Sequence, residues 1–413
     1  MITREYEKTY EITEISEAVR LHYFDEEKFN TNFISVIWTI PAEKKNVTKV
    51  SLLAECLRLG IDGNRHALEE KLSEMYGAVF DAVVLQKGGR QLLALNIECI
   101  KDSVAGEKVL KNAAGLINDI INSKIADNAL TQAKRRLKTR LVTKNDLAAE
   151  YAIEKLIDIT YPNDSFSVHC DGYIDDIDKI DTKELNELFN ELKCSAHTDI
   201  FISGELTKEK AMSISKSLIG RRENIKKLPI DEINICFGCA ATSEKRLISQ
   251  SRLAVAYTSK LNPWGKDWCI GLVLREILCG AGSSVLYDSV RQEEGLCYYI
   301  GGRLMRFRMV YVIDAGVDSG NEDKTLKLID EAINSCCIDE DKLDAAKKAV
   351  LKDLKATEDR RTGIINEKLN EMLLGITIEH QAEKDIQTIT IKDVMSALKG
   401  LEKKGVFIVA SDK

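Results

Sequence analysis

The chain has 413 residues, of which 44% are apolar and 30% charged, as is typical of a folded protein with an ample core. Its 59 Lys and Arg against 66 Asp and Glu give a net charge of −7, which disfavours a general nucleic-acid binder because phosphates require a basic face. No stretch approaches the roughly 18 apolar residues of a membrane helix. Because the N-terminus shows no export signal, the eleven cysteines are expected to be reduced thiols in the cytoplasm.

The first half begins with a strand and then a helix. Apolar residues alternate from Ile34 to Ile40, which predicts a half-buried strand. The following helix is expected to end at Gly60, since glycine is a common C-terminal stop. Residues 79–85 and 92–97 flank a Lys-Gly-Gly-Arg sequence, which favours a β-hairpin. Further helices follow, and the half closes on a short strand at Phe201.

The second half repeats this order. Two predicted helices carry apolar residues at i, i+3, i+7 and i+11, related by an offset of 213 residues: Leu130, Ala133, Leu137 and Leu141, and then Leu343, Ala346, Val350 and Leu354. Residues 57–60 and 277–280 each end a helix on glycine, and a strand at Phe407 matches the one at Phe201. The repeat predicts an α+β protein of two tandem, homologous α/β-sandwich halves, each a mainly antiparallel sheet covered by helices.

The repeat also predicts the domain boundaries. The first repeat domain is expected at residues 1–220 and the second at residues 246–413. The segment between them, 221–245, is charged and irregular in sequence and is the predicted linker.

Residues 280–298, GAGSSVLYDSVRQEEGLCY, closely resemble a signature of the pitrilysin-type zinc peptidases: a glycine-rich turn, Ser-x-Leu-Phe, and Val-Arg-Glu-x-x-Gly-Leu-x-Tyr. The strand 310–317, ending Asp-Ala-Gly-Val, also looks like the pattern of that family. The resemblance covers almost the whole chain, and it implies the same tandem fold.

The first half departs from the family at its zinc motif. Active members carry H-x-x-E-H on the first helix after the first long strand, where two histidines hold Zn²⁺ and the glutamate is the general base. The matching positions here are Ser51, Ala54 and Glu55. The third ligand of the family is a glutamate in a later helix, and the corresponding residues 133–136 contain no acid. We therefore expect no metal in this chain.

The zinc-less pattern, with Met-Tyr-Gly-Ala at 75–78 and Leu-Cys-Tyr-Tyr at 296–299, looks most like the inactive subunit of bacterial heterodimeric peptidases. In such pairs the zinc-bearing subunit supplies metal and base, and the inactive subunit supplies an arginine and a tyrosine. The resemblance assigns these roles to Arg291 and Tyr298, acting in trans. It further implies zinc in a homologous partner subunit and an unfolded peptide as substrate. The net charge and the lack of a long apolar stretch favour neither nucleic acid nor membrane as partner.

The glycine-rich turn is a secondary candidate. Gly282, Ser283 and Ser284 are expected to form a tight turn before a helix, with a substrate-contact role as the functional interpretation. Without the resemblance, the residues favour a structural salt bridge for Arg291 and a core position for Tyr298.

Two other functions stay open from sequence alone. One is a non-catalytic binding or assembly protein with the same fold, and the other is an independent hydrolase that uses unrecognised residues. The five histidines support no metal site of their own, because none has a neighbour at metal-ligand spacing.

Overall fold

The computed structural model describes residues 10–24, 28–228, 231, 240–280, 284–376 and 382–412. The described strands are β1 (Glu11–Ser16), β2 (Val19–Phe24), β3 (Thr31–Pro41), β4 (Val79–Lys87), β5 (Arg90–Ile100), β6 (His197–Ser203), β7 (Ala240–Arg246), β8 (Ser251–Thr258), β9 (Cys297–Met305), β10 (Val310–Val317) and β11 (Glu402–Ser411).

The described helices alternate with these strands in both halves. They are α1 (Lys44–Arg58), α2 (Arg65–Glu74), α3 (Asp102–Ala105), α4 (Val109–Asn122), α5 (Asp127–Asp146), α6 (Ala148–Thr160), α7 (Ile174–Ile177), α8 (Thr182–Ser195), α9 (Lys208–Leu218), α10 (Gly265–Cys279), α11 (Glu322–Asn334), α12 (Glu340–Glu358), α13 (Arg361–Leu373), α14 (Ala382–Thr388) and α15 (Ile391–Lys399). A π-helical segment, Tyr287–Glu293, precedes β9.

The two sheets have the same internal order. The first is β1-β2-β6-β3-β5-β4 and the second is β7-β11-β8-β10-β9. In each sheet one pair is parallel, β2 with β6 and β7 with β11, and the other pairs are antiparallel. Among the described strands, β1 is the one member of the first sheet without a counterpart in the second. The predicted α+β fold with two similar halves is confirmed.

The repeated apolar positions occupy equivalent helices. Leu130, Ala133 and Leu137 of α5 are buried in the core of the first half, and Leu343, Ala346 and Val350 of α12 are buried in the core of the second. Helices α8 and α15 both begin with a capping box, at Asp181 and at Thr390. Equivalent packing of α5 and α12 explains why the same spacing recurs 213 residues apart.

The contacts divide the chain into two compact units that are not contiguous in sequence. One comprises Met1–Val142 and Val168–Ile230, and the other comprises Thr143–Ser167 and Asp231–Lys413. In the second unit, α6 packs on the sheet face opposite α10 and forms a separate apolar cluster there with β8, β10 and β11. The second sheet is therefore covered on both faces. The domain boundaries at 1–220 and 246–413 stay a prediction. They assign α6 to the first domain, whereas the contacts assign it to the second unit.

The predicted linker 221–245 needs a correction at its end. Residues 240–245 are not irregular, because they belong to β7, which pairs in parallel with β11. Strand β7 lies at the edge of its sheet and most of its side chains are exposed or half-buried. An exposed edge strand needs no apolar alternation, so its sequence, AATSEKR, has no strand signature.

Candidate functional site

The positions that match the zinc motif lie on α1 and are closed to solvent. Ser51 is 0% exposed, and Ala54 and Glu55 are each 2% exposed. Ser51 and Glu55 are four residues apart, so they share one face of the helix. A peptide bond in a substrate could not reach these side chains in this arrangement.

Glu55 is the centre of a cluster of arginines. Its Oε1 accepts hydrogen bonds from Nη1 of Arg58 and Nη1 of Arg140, each at 2.7 Å, and Nε of Arg136 lies 3.5 Å from its Oε2. Arg136 and Arg140 belong to α5, which in active relatives would bring the third metal ligand. Guanidinium cations thus surround a buried carboxylate at the place where the family motif predicts a divalent cation.

Two aspartates balance the remaining charge of the arginine cluster. Nε of Arg58 donates to Asp81 at 2.7 Å, and Nη2 of Arg140 lies 3.6 Å from Oδ1 of Asp171. Burial alone would lower the pKa of Arg58, but Glu55 and Asp81 outweigh that effect and raise it. The cluster therefore pairs three cations with three anions, which is a structural ion-pair network.

A loop segment seals the same face of α1. Ser51 Oγ donates to the carbonyl of Cys170 at 3.0 Å, and the amide of Tyr173 donates to Oγ1 of Thr48 at 3.0 Å. Gly172 has φ +93° and approaches α1 so closely that a Cβ there would lie 2.7 Å from Cα of Thr48. The segment 168–173 therefore fills the space in front of the degenerate motif.

The residues at this position do not fit a zinc ion. Zinc takes imidazole, thiolate or carboxylate ligands. Here Ser51 already donates its hydroxyl to the backbone, Ala54 has no donor, and Glu55 is held by cations that would repel a metal. In the part of the chain that the structure describes, no three His, Cys, Asp or Glu side chains are grouped so that they could hold a metal ion.

Arg291 lies in the π-helical segment Tyr287–Glu293 of the second unit. Its side chain is exposed, and its guanidinium carbon lies 4.9 Å from the centre of the Tyr287 ring. No carboxylate of the described residues is within ion-pair distance of Arg291, so the structural salt bridge is not found there. π-Helical turns occur often at functional sites, where they displace a side chain from regular helix geometry.

Tyr298 is the extra residue of a β-bulge. Cys297 pairs with Val317 and Tyr299 pairs with the preceding residue, Gly316, so Tyr298 has no partner on β10. Strand β9 is the edge of its sheet, and Tyr298 is 63% exposed. Its hydroxyl makes no hydrogen bond to any residue in the described ranges. A bulge at a sheet edge re-aims a side chain, and here it turns Tyr298 outward rather than into the core.

A short turn brings the two residues into one region. The amide of Leu296 donates to the carbonyl of Val290 at 3.2 Å, and Gly295, with φ +63°, makes the turn between them. Burial raises the pKa of the Cys297 thiol, and the charge of Arg291 opposes that shift. Arg291 therefore lies near the start of β9, where Tyr298 follows.

The glycine-rich turn is described only in part. Gly282 and Ser283 lie outside the described residues. Ser284 is buried, and its carbonyl accepts a hydrogen bond from the amide of Asp288 at 2.9 Å at the beginning of the helical segment. Its role as a substrate contact stays a prediction, as do the roles of Arg291 and Tyr298.

Sequence reasoning missed the arginine cluster around Glu55. A signal was available in the repeat, because Arg275 and Asp353 stand at the offsets that relate Glu55 and Arg140 to the second half. Nη2 of Arg275 lies 3.8 Å from Oδ2 of Asp353, so the second half carries the same ion pair between helices with its charges exchanged. Complementary charges at equivalent positions could have predicted the contact.

A tandem α/β fold in which Ser51, Ala54 and Glu55 stand at the zinc-motif positions resembles the inactive relatives of metallopeptidases. The sequence profile described as "Peptidase M16 inactive domain" matches residues 179–350. The "Probable inactive metalloprotease YmfF" of Bacillus subtilis is 23% identical over 326 residues, which are 75% of each chain. The resemblance to the pitrilysin-type peptidases, and to their inactive members, is confirmed.

Solved structures share the fold over nearly the full length. A conserved protein from Enterococcus faecalis is 21% identical, with a TM-score of 0.88 over 98% of this chain and 99% of that one. A peptidase M16 inactive domain from Pseudomonas fluorescens is 15% identical, with a TM-score of 0.77 over 98% of each chain. None of the described helices combines the length and apolarity needed to cross a membrane.

Proposed function

We propose that this chain is the zinc-less subunit of a heterodimeric zinc endopeptidase that acts on unfolded peptides. The observation that carries the proposal is the contrast between its two candidate sites. The positions of the zinc motif, around Glu55, are buried and filled by arginines, whereas Arg291 and Tyr298 are exposed on irregular backbone. Exposed polar side chains at such positions are free to act on a bound substrate.

The proposed chemistry divides between two chains. Zinc in the homologous partner would polarise the scissile carbonyl and activate a water molecule. Negative charge then develops on the carbonyl oxygen, and a hydrogen-bond donor placed against it lowers the barrier. Tyr298 would donate its hydroxyl there, and Arg291 would stabilise the charge or hold the peptide backbone in register. This chain would need no cofactor and would work in the cytoplasm.

A peptidase assay with three samples tests the proposal. A fluorogenic unfolded peptide is incubated with this chain alone, with a zinc-bearing homologue that carries H-x-x-E-H alone, and with an equimolar mixture of the two. We expect turnover only in the mixture, with activity lost on chelation of zinc. Equal turnover by the zinc-bearing chain alone and by the mixture would remove the catalytic role, and a stable inactive complex would favour the assembly protein. Turnover by this chain alone would identify an independent hydrolase.

A further inference from the structure

The bulge at Tyr298 is flanked by two side chains that point to opposite faces of β9. Cys297 is buried and packs in the core with Val317, its register partner. Tyr299 faces the other side of the sheet, which it shares with Gly301 and Arg303 because side chains alternate along a strand. Whatever holds Tyr299 therefore helps to fix the outward direction of Tyr298.

Tyr299 lies along its own strand, over a glycine. A Cβ on Gly301 would collide with the hydroxyl of Tyr299, so only glycine leaves room for the ring in this position. Gly301 is the register partner of Asp314 on β10. The missing side chain at Gly301 thus lets the hydroxyl of Tyr299 reach the neighbourhood of the Asp314 carboxylate.

Asp314 is a buried carboxylate in a mixed-charge surrounding. It is 6% exposed, and it faces Tyr299, Arg252 and Arg303, with Glu150 of α6 also near it. Burial raises the pKa of Asp314, and the charge of Arg303 and the nearby hydroxyl of Tyr299 partly counteract that shift. Burial, and after it the charge of Asp314, raises the pKa of Tyr299, so its hydroxyl stays a hydrogen-bond donor even above neutral pH.

We propose that Asp314 is a positioning residue, which holds Tyr299 and thereby fixes the bulge that presents Tyr298. The proposal deepens the proposed function and rests on it for what Tyr298 does to a substrate. The restraint itself depends only on this chain. The proposal explains why the carboxylate of Asp314 is buried, although the core does not need it, and why glycine stands opposite it at Gly301.

The proposal predicts different outcomes for three substitutions that each make a small change in side-chain volume. Asp314→Asn keeps an oxygen that accepts from Tyr299 and should leave Tyr298 in place. Asp314→Ala removes the acceptor, and Tyr299→Phe removes the donor, so each should release the bulge. Because both act through one contact, the double variant should be no worse than either single variant.

The restraint is measured on the full chain alone by ¹⁹F NMR after incorporation of 3-fluorotyrosine. The Tyr298 resonance is identified by its loss in Tyr298→Phe. We expect the same Tyr298 resonance in the wild type and in Asp314→Asn. In Asp314→Ala and Tyr299→Phe it should shift toward the position of free fluorotyrosine and become narrower. The matched control is Tyr257→Phe, which removes a Tyr–Asp hydrogen bond of 2.6 Å to Asp330 elsewhere in the same unit and should leave Tyr298 unchanged.

The second readout is kinetic and uses the mixture with the zinc-bearing homologue. Asp314→Ala should lower kcat more than it raises KM, and it should have no further effect when Tyr298 is already phenylalanine. An unchanged Tyr298 resonance in both Asp314→Ala and Tyr299→Phe, or an equal change in Tyr257→Phe, would overturn the proposal. If the mixture proves inactive, the proposed function fails, while the NMR result still decides the restraint.

Discussion

Arg140 donates from Nη1 to the buried carboxylate of Glu55 at 2.7 Å, which joins α5 to α1 across the position of the family zinc site. The second half makes the corresponding contact with Arg275 on α10 and Asp353 on α12, where the signs of the charges are exchanged. That second pair is longer, at 3.8 Å, and Asp353 is exposed, so it is a surface counterpart of the buried contact at Glu55. At the degenerate motif, the ion pair between α1 and α5 stands where the metal would connect the two helices.

The first prediction concerns the contribution of the Glu55 cluster to the free energy of unfolding. Glu55→Gln removes the charge that three guanidinium groups share, and breaking a buried ion pair from one side costs about 3 kcal/mol. We expect the midpoint of urea denaturation to fall accordingly, with the slope unchanged.

Glu69→Gln is the matched control, because Glu69 pairs with Arg65 at 2.8 Å on the surface of α2. Its cost should stay below about 1 kcal/mol. Equal destabilisation by the two variants would contradict the assignment of the Glu55 cluster as a buried, structural ion-pair network.

The second prediction concerns zinc. We expect no stoichiometric zinc in the purified chain after dialysis, measured by elemental analysis. Restoring the motif alone, with Ser51→His, Ala54→Glu and Glu55→His, should not create a site, because Arg136 and Arg140 would repel the ion and no third ligand is present.

Adding Arg136→Glu to that triple variant supplies an acid on α5 and removes one cation. We expect this quadruple variant to bind zinc more tightly than the triple variant in a calorimetric titration. One tightly held zinc in the unaltered chain, lost when Ser51 or Glu55 is replaced, would show that the interpretation of the motif is wrong.

The third prediction concerns pH. A carboxyl group with a raised pKa in the folded state binds its proton more tightly there than in the unfolded chain. Stability is therefore lost as pH rises from the ordinary aspartate pKa of about 3.9 through the raised pKa of Asp314. Asp314→Asn removes this loss, so the variant should be more stable than the wild type at neutral pH.

The gain should shrink toward zero as the pH is lowered to about 3.9, where Asp314 is protonated in both states. Urea denaturation at a series of pH values measures it. A variant that is less stable than the wild type at neutral pH would mean that attraction to Arg252 and Arg303 outweighs the burial of Asp314.

The tandem fold was accessible from sequence because both cores bury the same helix positions. The spacing of Leu130 to Leu141 and of Leu343 to Leu354 reflects burial of one helix face in the core of each half, and this packing recurs because the architecture recurs. The membership of α6 in the second unit was not accessible. Its apolar stripe indicates that it packs on a sheet but does not say on which one.

From the sequence, the site could be predicted only as a set of residues, without their geometry. The motif selects Arg291 and Tyr298, but the bulge that turns Tyr298 outward depends on its register with β10, which lies further along the chain. His22 is a similar case. Sequence alone indicates a histidine without metal-ligand spacing, whereas the fold buries it between Asp199, with Nε2 to Oδ1 at 2.9 Å, and Tyr10. Contacts between residues far apart in the sequence determine the surroundings of both Tyr298 and His22.

The kinetics of the mixture with Arg291→Ala and Tyr298→Phe test the central claim most directly, after sedimentation has shown that the two chains still assemble. Tyr76→Phe, a change at an exposed tyrosine of the first unit, is the control. Loss of a donor to transition-state charge should lower kcat by about 10²–10³-fold, whereas loss of a backbone contact alone should raise KM. Full activity of an assembled pair that carries both substitutions would contradict the account.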